Sequence, residues 1–426
     1  MMYLLVILIF SFALGQEVIR LTPQKAYELA WENNAELRKL RYDIESANFQ
    51  LEEAKNYFLP YVMLGGGLVY NSKTEEWEKP FGVSFISLLY EYKKTSSRIR
   101  SAELLSEIKK EALRQLERDI KVRILELFAQ ASLYKKLTEV KREEMAIAYV
   151  RFDRAQQRKE LGLATNLEVY QLESIYREKR KDLLQAQYEY NRALLEIKKL
   201  VGMDMDTLID VQDIDLKPKV GDIDREKLLA YALKNNPIVK IKKKQVETYD
   251  ELIRQAENIL TPRVQIRGEV GNTIRTGIPQ TRAYNQTGWR AGIEIFVPLF
   301  DASSLYRIGS LKAQKRMVQV DLEDTLNQLK LLSNSAEYRY MYLLAQWDAA
   351  VSKNRYAEEN LMLRRSEYEL ELAFDLGYAM AEKSEAERQL MQAKYDLLLF
   401  LARLYALAGL DPYLIFEKSD EFIKTQ

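Results

Sequence analysis

The groups available for chemistry in this chain are carboxylates, guanidinium groups, amines and hydroxyls. Among 426 residues there is no His and no Cys. The commonest general base is therefore missing, as are thiolate nucleophiles, disulfides and lipids carried on Cys. Ser, Lys or carboxylate catalysis stays open in principle, but no acid, base and nucleophile set converges, so the chain is read as a non-enzyme. Gly65-Gly66-Gly67 is not a phosphate loop, because no Gly-Lys-Ser/Thr follows. Glycines at a crowded bend of a strand are the better reading. The 11 Met residues are scattered without a thioether-ligand pattern, so neither metal nor cofactor is expected. What remains is charge in regular patterns. Arg263, Gln265, Arg267 and Glu269 alternate with apolar residues, as do Arg290 and Glu294. Glu382 and Glu385, at helical spacing, share one face.

Long elements must position these charges. Gly and Pro are scarce, at 16 and 9. Pro23 to Pro60 contains no other Pro and no Gly, and Thr22 is a natural N-cap before a Pro at the first helical position. A strand over 61–70, a polar and acidic loop over 71–80 and a strand over 81–89 follow. Gly82 to Gly162 then runs without an internal Gly or Pro. Leu113, Leu116, Ile120, Ile124, Leu127, Ala131 and Tyr134 step by three or four within it. About 60 residues at ~1.5 Å each give a helix of roughly 90 Å. Gly162 ends it, and a second helix returns to Gly202.

The chain then repeats itself. Ala30-Trp31-Glu32-Asn33-Asn34 is echoed by Ala232-Leu233-Lys234-Asn235-Asn236, an offset of 202 residues. Leu59-Pro60 is echoed by Thr261-Pro262 at the same offset. Strands over 263–271 and 289–297 flank a loop near Gly277 and Pro279. In the second long helix Leu322, Leu326, Leu329, Ser333, Ala336, Tyr340, Leu343 and Trp347 form a heptad seam, which predicts supercoiling. The spacing from Gly162 to Gly202 and from Gly377 to Gly409 makes the second return helix eight residues shorter, close to two turns. The organisation read from this is a leader at 1–15, a first repeat at 16–202, an Asp-rich linker at 203–223, a second repeat at 224–410 and a tail at 411–426.

Residues 2–14 are uncharged and mainly apolar, and Ala13-Leu14-Gly15 suits cleavage before Gln16. This reads as a secretory signal peptide. The alternative is a short membrane anchor, although the stretch is below the ~20 residues of a helical span. Residues 395–410 are the next most apolar, but Asp396 and Arg403 interrupt them, so they read as core helix. Lys and Arg number 64 against 63 Asp and Glu, so no basic field for nucleic acid is implied. The strands with one apolar and one charged face have two readings: a half-buried sheet in water, or a wall between lipid and an aqueous lumen. Four strands cannot close a barrel alone, and an open edge in lipid is forbidden, so the second reading demands oligomers.

In this order and duplication the residues resemble the TolC-type outer-membrane efflux protein family over roughly residues 20–410. The resemblance is carried by Leu21-Thr22-Pro23, Ala26-Tyr27-Glu28-Leu29-Ala30, the two Asn pairs with Pro237, Pro60, Pro298-Leu299-Phe300-Asp301, Leu161-Gly162-Leu163-Ala164-Thr165 and Leu376-Gly377. It implies a mainly α fold with a β-barrel portion: a homotrimer whose twelve-stranded barrel continues into a twelve-helix periplasmic tunnel. It further implies an exit duct in the bacterial outer membrane, for efflux or type I secretion, with a periplasmic adaptor and an inner-membrane transporter as partners. Glu382 and Glu385 match acidic positions that ring the tunnel's constriction, and Glu168 takes the corresponding place in the first repeat. Leu161, Gly162, Leu163, Thr165, Leu376 and Gly377 become adaptor-docking tips, and Arg263, Arg267, Glu269, Arg290 and Glu294 the barrel lumen. The chain departs from the pattern at Ala35 and Leu88, where Pro is usual, and at Ala379, where a basic tip residue is usual; Lys383 or Arg388 are the substitutes. The competing reading is a periplasmic coiled-coil scaffold without a pore, which has no need of paired amphipathic strands.

Overall fold

A computed structural model describes residues 18–72, 75–79, 81–91, 93–214, 222–258, 261–271, 288–369, 376–416 and 423–424. The leader and the loop near Gly277 and Pro279 lie outside the described residues. In chain order the elements begin with β1 (Ile19–Leu21), α1 (Pro23–Asn33), α2 (Ala35–Lys55), β2 (Tyr61–Gly66), β3 (Val69–Asn71), β4 (Glu76–Glu78) and β5 (Phe81–Glu91). Next come α3 (Lys94–Glu160), α4 (Asn166–Val201), β6 (Ile209–Val211), β7 (Asp222–Ile223), α5 (Arg225–Asn235) and α6 (Pro237–Glu257). The chain ends with β8 (Arg263–Gly271), β9 (Gly288–Phe296), α7 (Ala302–Glu369), α8 (Leu376–Leu407), a 3-10 turn (Pro412–Phe416) and β10 (Ile423–Lys424).

The lengths match between the halves. The leading helices have 11 and 21 residues in both, and the long ones 67 and 68. The return helices have 36 and 32 residues, a smaller difference than the glycine spacing suggested. Gly162 is followed by a loop before α4 starts, whereas Gly377 already lies inside α8. The expected strand over 61–70 is also shorter: β2 stops at Gly66, and β3 pairs with β4 in a separate hairpin that occupies the expected loop.

The chain divides into two compact units, each drawing on both halves. The first comprises Met1–Arg38, Leu116–Asn236 and Leu329–Gln426. Its core holds Ile124, Leu127, Phe128, Ile197, Tyr340, Leu343 and Tyr395, all fully buried. The seam of α7 is buried at Leu329, Ser333, Ala336, Tyr340 and Leu343.

Two equivalent clamps organise this unit. Thr22 caps α1 by accepting from the Lys25 N–H, and Asp224 caps α5 by accepting from the Lys227 N–H. Each leading helix stops at an Asn pair. The Asn34 carboxamide oxygen accepts from the N–H groups of Glu36 and Leu37, restarting the chain as α2, while its amide donates to the Leu200 carbonyl at 2.8 Å. Asn236 likewise donates to the Leu407 carbonyl at 2.9 Å. One side chain thus satisfies the open N-terminus of one helix and the open C-terminus of another, groups that burial would otherwise leave unpaired.

The return helices end beside those pairs on left-handed glycines, Gly202 (φ +67°) and Gly409 (φ +77°). The next residues donate back, Met203 to Lys198 and Leu410 to Tyr405, both at 2.9 Å, which is the Schellman closure. A Cβ on Gly202 would lie 2.6 Å from the Asn33 Cβ, and one on Gly409 2.4 Å from the Asn235 carbonyl oxygen. Gly162 has the same conformation (φ +72°) but open space around it.

The ends of the first unit are tied together. The Tyr413 hydroxyl donates to the Pro23 carbonyl at 2.9 Å, and Lys121 pairs with Asp411 beneath the rings of Tyr27 and Tyr413. Burial, with Glu117 and Asp411 adding negative charge, pushes the Tyr27 phenol up to about 12. β1 pairs with β6, and β7 with β10.

The second unit comprises Lys39–Gln115 and Pro237–Gln328. It holds a four-stranded antiparallel sheet in the order β2-β5-β8-β9. Its outer strands, β2 and β9, each have one neighbour in the sheet.

Ala at a left-handed position costs roughly 1–2 kcal/mol. Gly162→Ala should lose only that, whereas Gly409→Ala adds overlap with Asn235 and should lose distinctly more. Thermal unfolding of the two purified variants checks this, and equal losses would mean that the clamp's close approach carries no energy.

Candidate functional site

Two groups of residues stand out from this framework, one on the sheet and one at the hairpin tips. On the sheet, pairing register decides everything. Gln265 lies opposite Glu294, Arg267 opposite Gly292 and Glu269 opposite Arg290. Because side chains alternate, these residues share one face. Glu294 accepts from the Gln265 amide at 2.7 Å and lies 3.3 Å from the Arg267 Nε. Glu269 accepts from Arg290 at 2.8 Å and lies 3.5 Å from a terminal nitrogen of Arg267. Arg267 thus bridges both carboxylates, and Gly292 opposite it leaves room for the guanidinium to lie across the strands. Gln265 and Glu269 are buried, at 5% and 7% exposure. Arg263 occupies the same face at the strand end, opposite Phe296 and Glu91. The expected set of five is brought to one face, and Gln265 joins it.

The other face is apolar and open. Val264 lies opposite Ile295, Ile266 opposite Ile293 and Val270 opposite Trp289. Val83 pairs with Val270 and Leu64, and Phe85 with Gly268 and Val62. Trp289 is 78% exposed, and Val62, Leu64, Phe85, Ile293 and Ile295 are exposed too. In β8 the polar residues Gln265 and Glu269 are buried while the apolar face of the sheet is bare, the reverse of a sheet built for water. Among the described residues, no helix is long and apolar enough to cross a membrane. That bears only on helices.

The tips belong to the first unit. At the first tip, Leu163 donates to the Arg158 carbonyl at 2.8 Å, closing the turn at Gly162. The Thr165 hydroxyl then caps α4 by accepting from the Glu168 N–H at 3.2 Å. Arg158 donates to the Leu163 carbonyl and stands 3.7 Å from the Glu168 carboxylate. Leu161, Leu163 and Leu167 are exposed around the turn.

The second tip differs from expectation. Leu376 and Gly377 do not make the reversal, since α8 begins at Leu376; residues 370–375 lie outside those described. A Cβ on Gly377 would come within 3.1 Å of Ile147, so this glycine serves close helix packing. Next to it the Arg151 guanidinium sits 4.4 Å from the centre of the Tyr378 ring.

Glu382 and Glu385 do share one face of α8. They line a groove of about 400 Å³ with Ile147, Leu172, Ile175 and Tyr378. Glu382 accepts from the Asn360 amide at 2.8 Å. Glu385 accepts two bonds from Arg388 and one from Gln389, each 2.8 Å. The Arg388 bonds hold its carboxyl below the usual range, against the effect of partial burial. Glu168 does not line this groove. Lys383 and Arg388 are both engaged on their own helix, with Glu387 and Glu385. Among the described residues, no group of acidic side chains is arranged to hold a metal ion.

Residues 26–203 match the family described as outer membrane efflux protein. That match lies in the first half of the chain. The alkaline protease secretion protein AprF of Pseudomonas aeruginosa is 24% identical over 341 residues, 77% of this chain and 69% of that protein. The fold matches the outer-membrane channel OprN with a TM-score of 0.69 at 19% identity, over 91% of this chain and 89% of OprN. The CmeC outer membrane channel of Campylobacter jejuni matches with a TM-score of 0.73 at 14% identity, over 94% of this chain and 87% of CmeC. Likeness at this identity shows the fold: mainly helical, of the outer-membrane efflux channel type. The Asn33-Asn34 and Asn235-Asn236 pairs stand out in the sequence only as a repeat; their role as clamps needed the structure.

Glu385 supplies an acid-sensitive element. Its folded pKa lies below the unfolded value, so its stabilising contribution is full above the unfolded pKa and is lost as pH falls through the folded one. Protection factors of the α8 amides, corrected for the pH dependence of intrinsic exchange, should therefore fall on acidification, and Glu385→Gln should flatten that dependence. An unchanged pH profile in the variant would remove Glu385 from the account.

Proposed function

We propose that this chain is the outer-membrane exit duct of a tripartite efflux or type I secretion system. It acts as a passive homotrimer with a periplasmic adaptor and an inner-membrane transporter. The reading rests on the reversed sheet. β5, β8 and β9 have 11, 9 and 9 residues, a height suited to the ~9–11 residues of a tilted strand in a bilayer. An apolar face that is bare in water becomes a lipid-facing wall, and the charged face becomes a lumen. The free edges of β2 and β9 must then be met by other copies, because unpaired backbone groups in hydrocarbon cost several kcal/mol each. Three copies of a four-stranded sheet give a twelve-stranded barrel of even strand number. The matched helix lengths support internal duplication, and kinship with AprF and the channel folds supports the transport role. A pore-free scaffold has no use for such a sheet, and no catalytic role is proposed.

Arg263, Arg267, Glu269, Arg290 and Glu294 are proposed to line the lumen. Leu161, Gly162, Leu163 and Thr165, with Leu376 and Gly377, are proposed as the adaptor-docking surface. Exposed leucines around a tight turn offer a partner helix hairpin an apolar seat. Glu382 and Glu385, with Glu168, are proposed as the acidic constriction.

Light scattering on detergent-purified protein should return the mass of three chains. A stable monomer that needs no detergent would overturn the duct. In planar bilayers, replacing Glu382 and Glu385 together by Gln should lower cation preference, most at low salt where screening is weak. The pair Glu358-Glu359 serves as control. Equal effects from both pairs, or none from either, would refute the acidic constriction.

A further inference from the structure

We infer that Glu269 is the residue that keeps the strand wall from discriminating by charge, holding it electrically neutral against two arginines. This deepens the duct reading and rests on it. On this face the β8–β9 ribbon carries Arg263, which lies opposite Glu91 of β5, and a linked set of four further charges. Arg267 and Arg290 carry two positive charges, and Glu269 and Glu294 carry two negative ones. Glu269 is within ion-pair distance of both arginines, 2.8 Å from Arg290 and 3.5 Å from Arg267. Glu294 is held by Arg267 and by the uncharged Gln265. Removing Glu269 therefore releases one full positive charge.

Apart from Glu91, opposite Arg263 at the strand end, the neighbouring ribbon carries nothing to compensate. On the same face β2 and β5 present Tyr61, Met63, Ser84, Ile86 and Leu88, paired in register with each other and with β8. None of these is charged. In a closed barrel the charges on this face would therefore cancel locally, within the linked set and between Arg263 and Glu91. Rings of unpaired charge make a pore selective for one sign of ion. A wall whose charges cancel locally lets cargo of either sign pass, which suits a duct that takes whatever an upstream pump delivers. Selection by charge is then left to the acidic tip residues.

The test is the zero-current potential across planar bilayers holding the full-length protein, with potassium chloride at unequal concentrations on the two sides. Glu269→Gln should move the potential toward chloride preference, and Arg290→Gln toward potassium preference. The double variant, Glu269→Gln with Arg290→Gln, loses one charge of each sign and should return to the wild-type value. All shifts should collapse in 1 M salt, where the screening length falls to ~3 Å. The return in the double variant separates an electrostatic role from a general loss of fold. Wild-type channels with Glu269→Gln channels of unchanged selectivity would overturn the inference and leave the duct standing. Wild-type protein that forms no conducting pore would overturn the duct itself.

Discussion

The backbone of the four-stranded sheet sets the terms for everything else. β2 and β9 each turn a row of N–H and C=O groups away from their one neighbour. Such groups are obligatory hydrogen-bonding partners and cannot be buried unpaired. In a sheet with a solvated outer surface, water would serve them, and polar side chains would cover that surface. Here Val62, Leu64, Ile293, Ile295 and Trp289 cover it instead. An apolar surface beside an unpaired edge is an aggregation template unless another strand meets the edge. The most economical partner is another copy of the same chain, with β9 of one meeting β2 of the next, since that contact repeats without creating a new edge and closes by rotation.

The helices meet the same requirement by local means. At each break between a leading helix pair one Asn carboxamide donates to the end of a return helix, and that of Asn34 also caps the next helix. The glycine that ends each return helix has a left-handed backbone and no room for a side chain. Residue identity is therefore constrained at Asn34 and Asn236 and at Gly202 and Gly409. Elsewhere the halves need only keep helical periodicity, and they do so with very different side chains.

Much of this was legible in the sequence. The span free of Gly and Pro between Gly82 and Gly162 holds α3, and the middle of the heptad seam of α7, from Leu329 to Leu343, is buried while Leu322, Leu326 and Trp347 are only half-buried. The two faces of β8 and β9 follow from strict alternation. The misreadings have physical causes. Gly377 resembles Gly162 in sequence, but a glycine serves equally for a turn or for close helix packing, and only the neighbour, Ile147, distinguishes them. The strand at 61–70 ends early because Gly67 and Leu68 leave the ladder. The charge network was out of reach because its pairs are cross-strand, and register depends on a loop whose length does not set it. The Asn pairs were conspicuous, yet their partners lie 166 and 171 residues away.

The bond between Tyr413 and Pro23 spans 390 residues of chain. It is accompanied by the pairing of Lys121 with Asp411 and by the Arg118 bond to the Leu410 carbonyl. Contacts this distant in sequence form late, because the loop they close is long. The packing of α1 is completed by a segment made 390 residues later. The first compact unit therefore cannot finish folding until the residues around Tyr413 have been made. Until then its amphipathic helices stay incompletely packed, which makes protection from aggregation a requirement of its biogenesis.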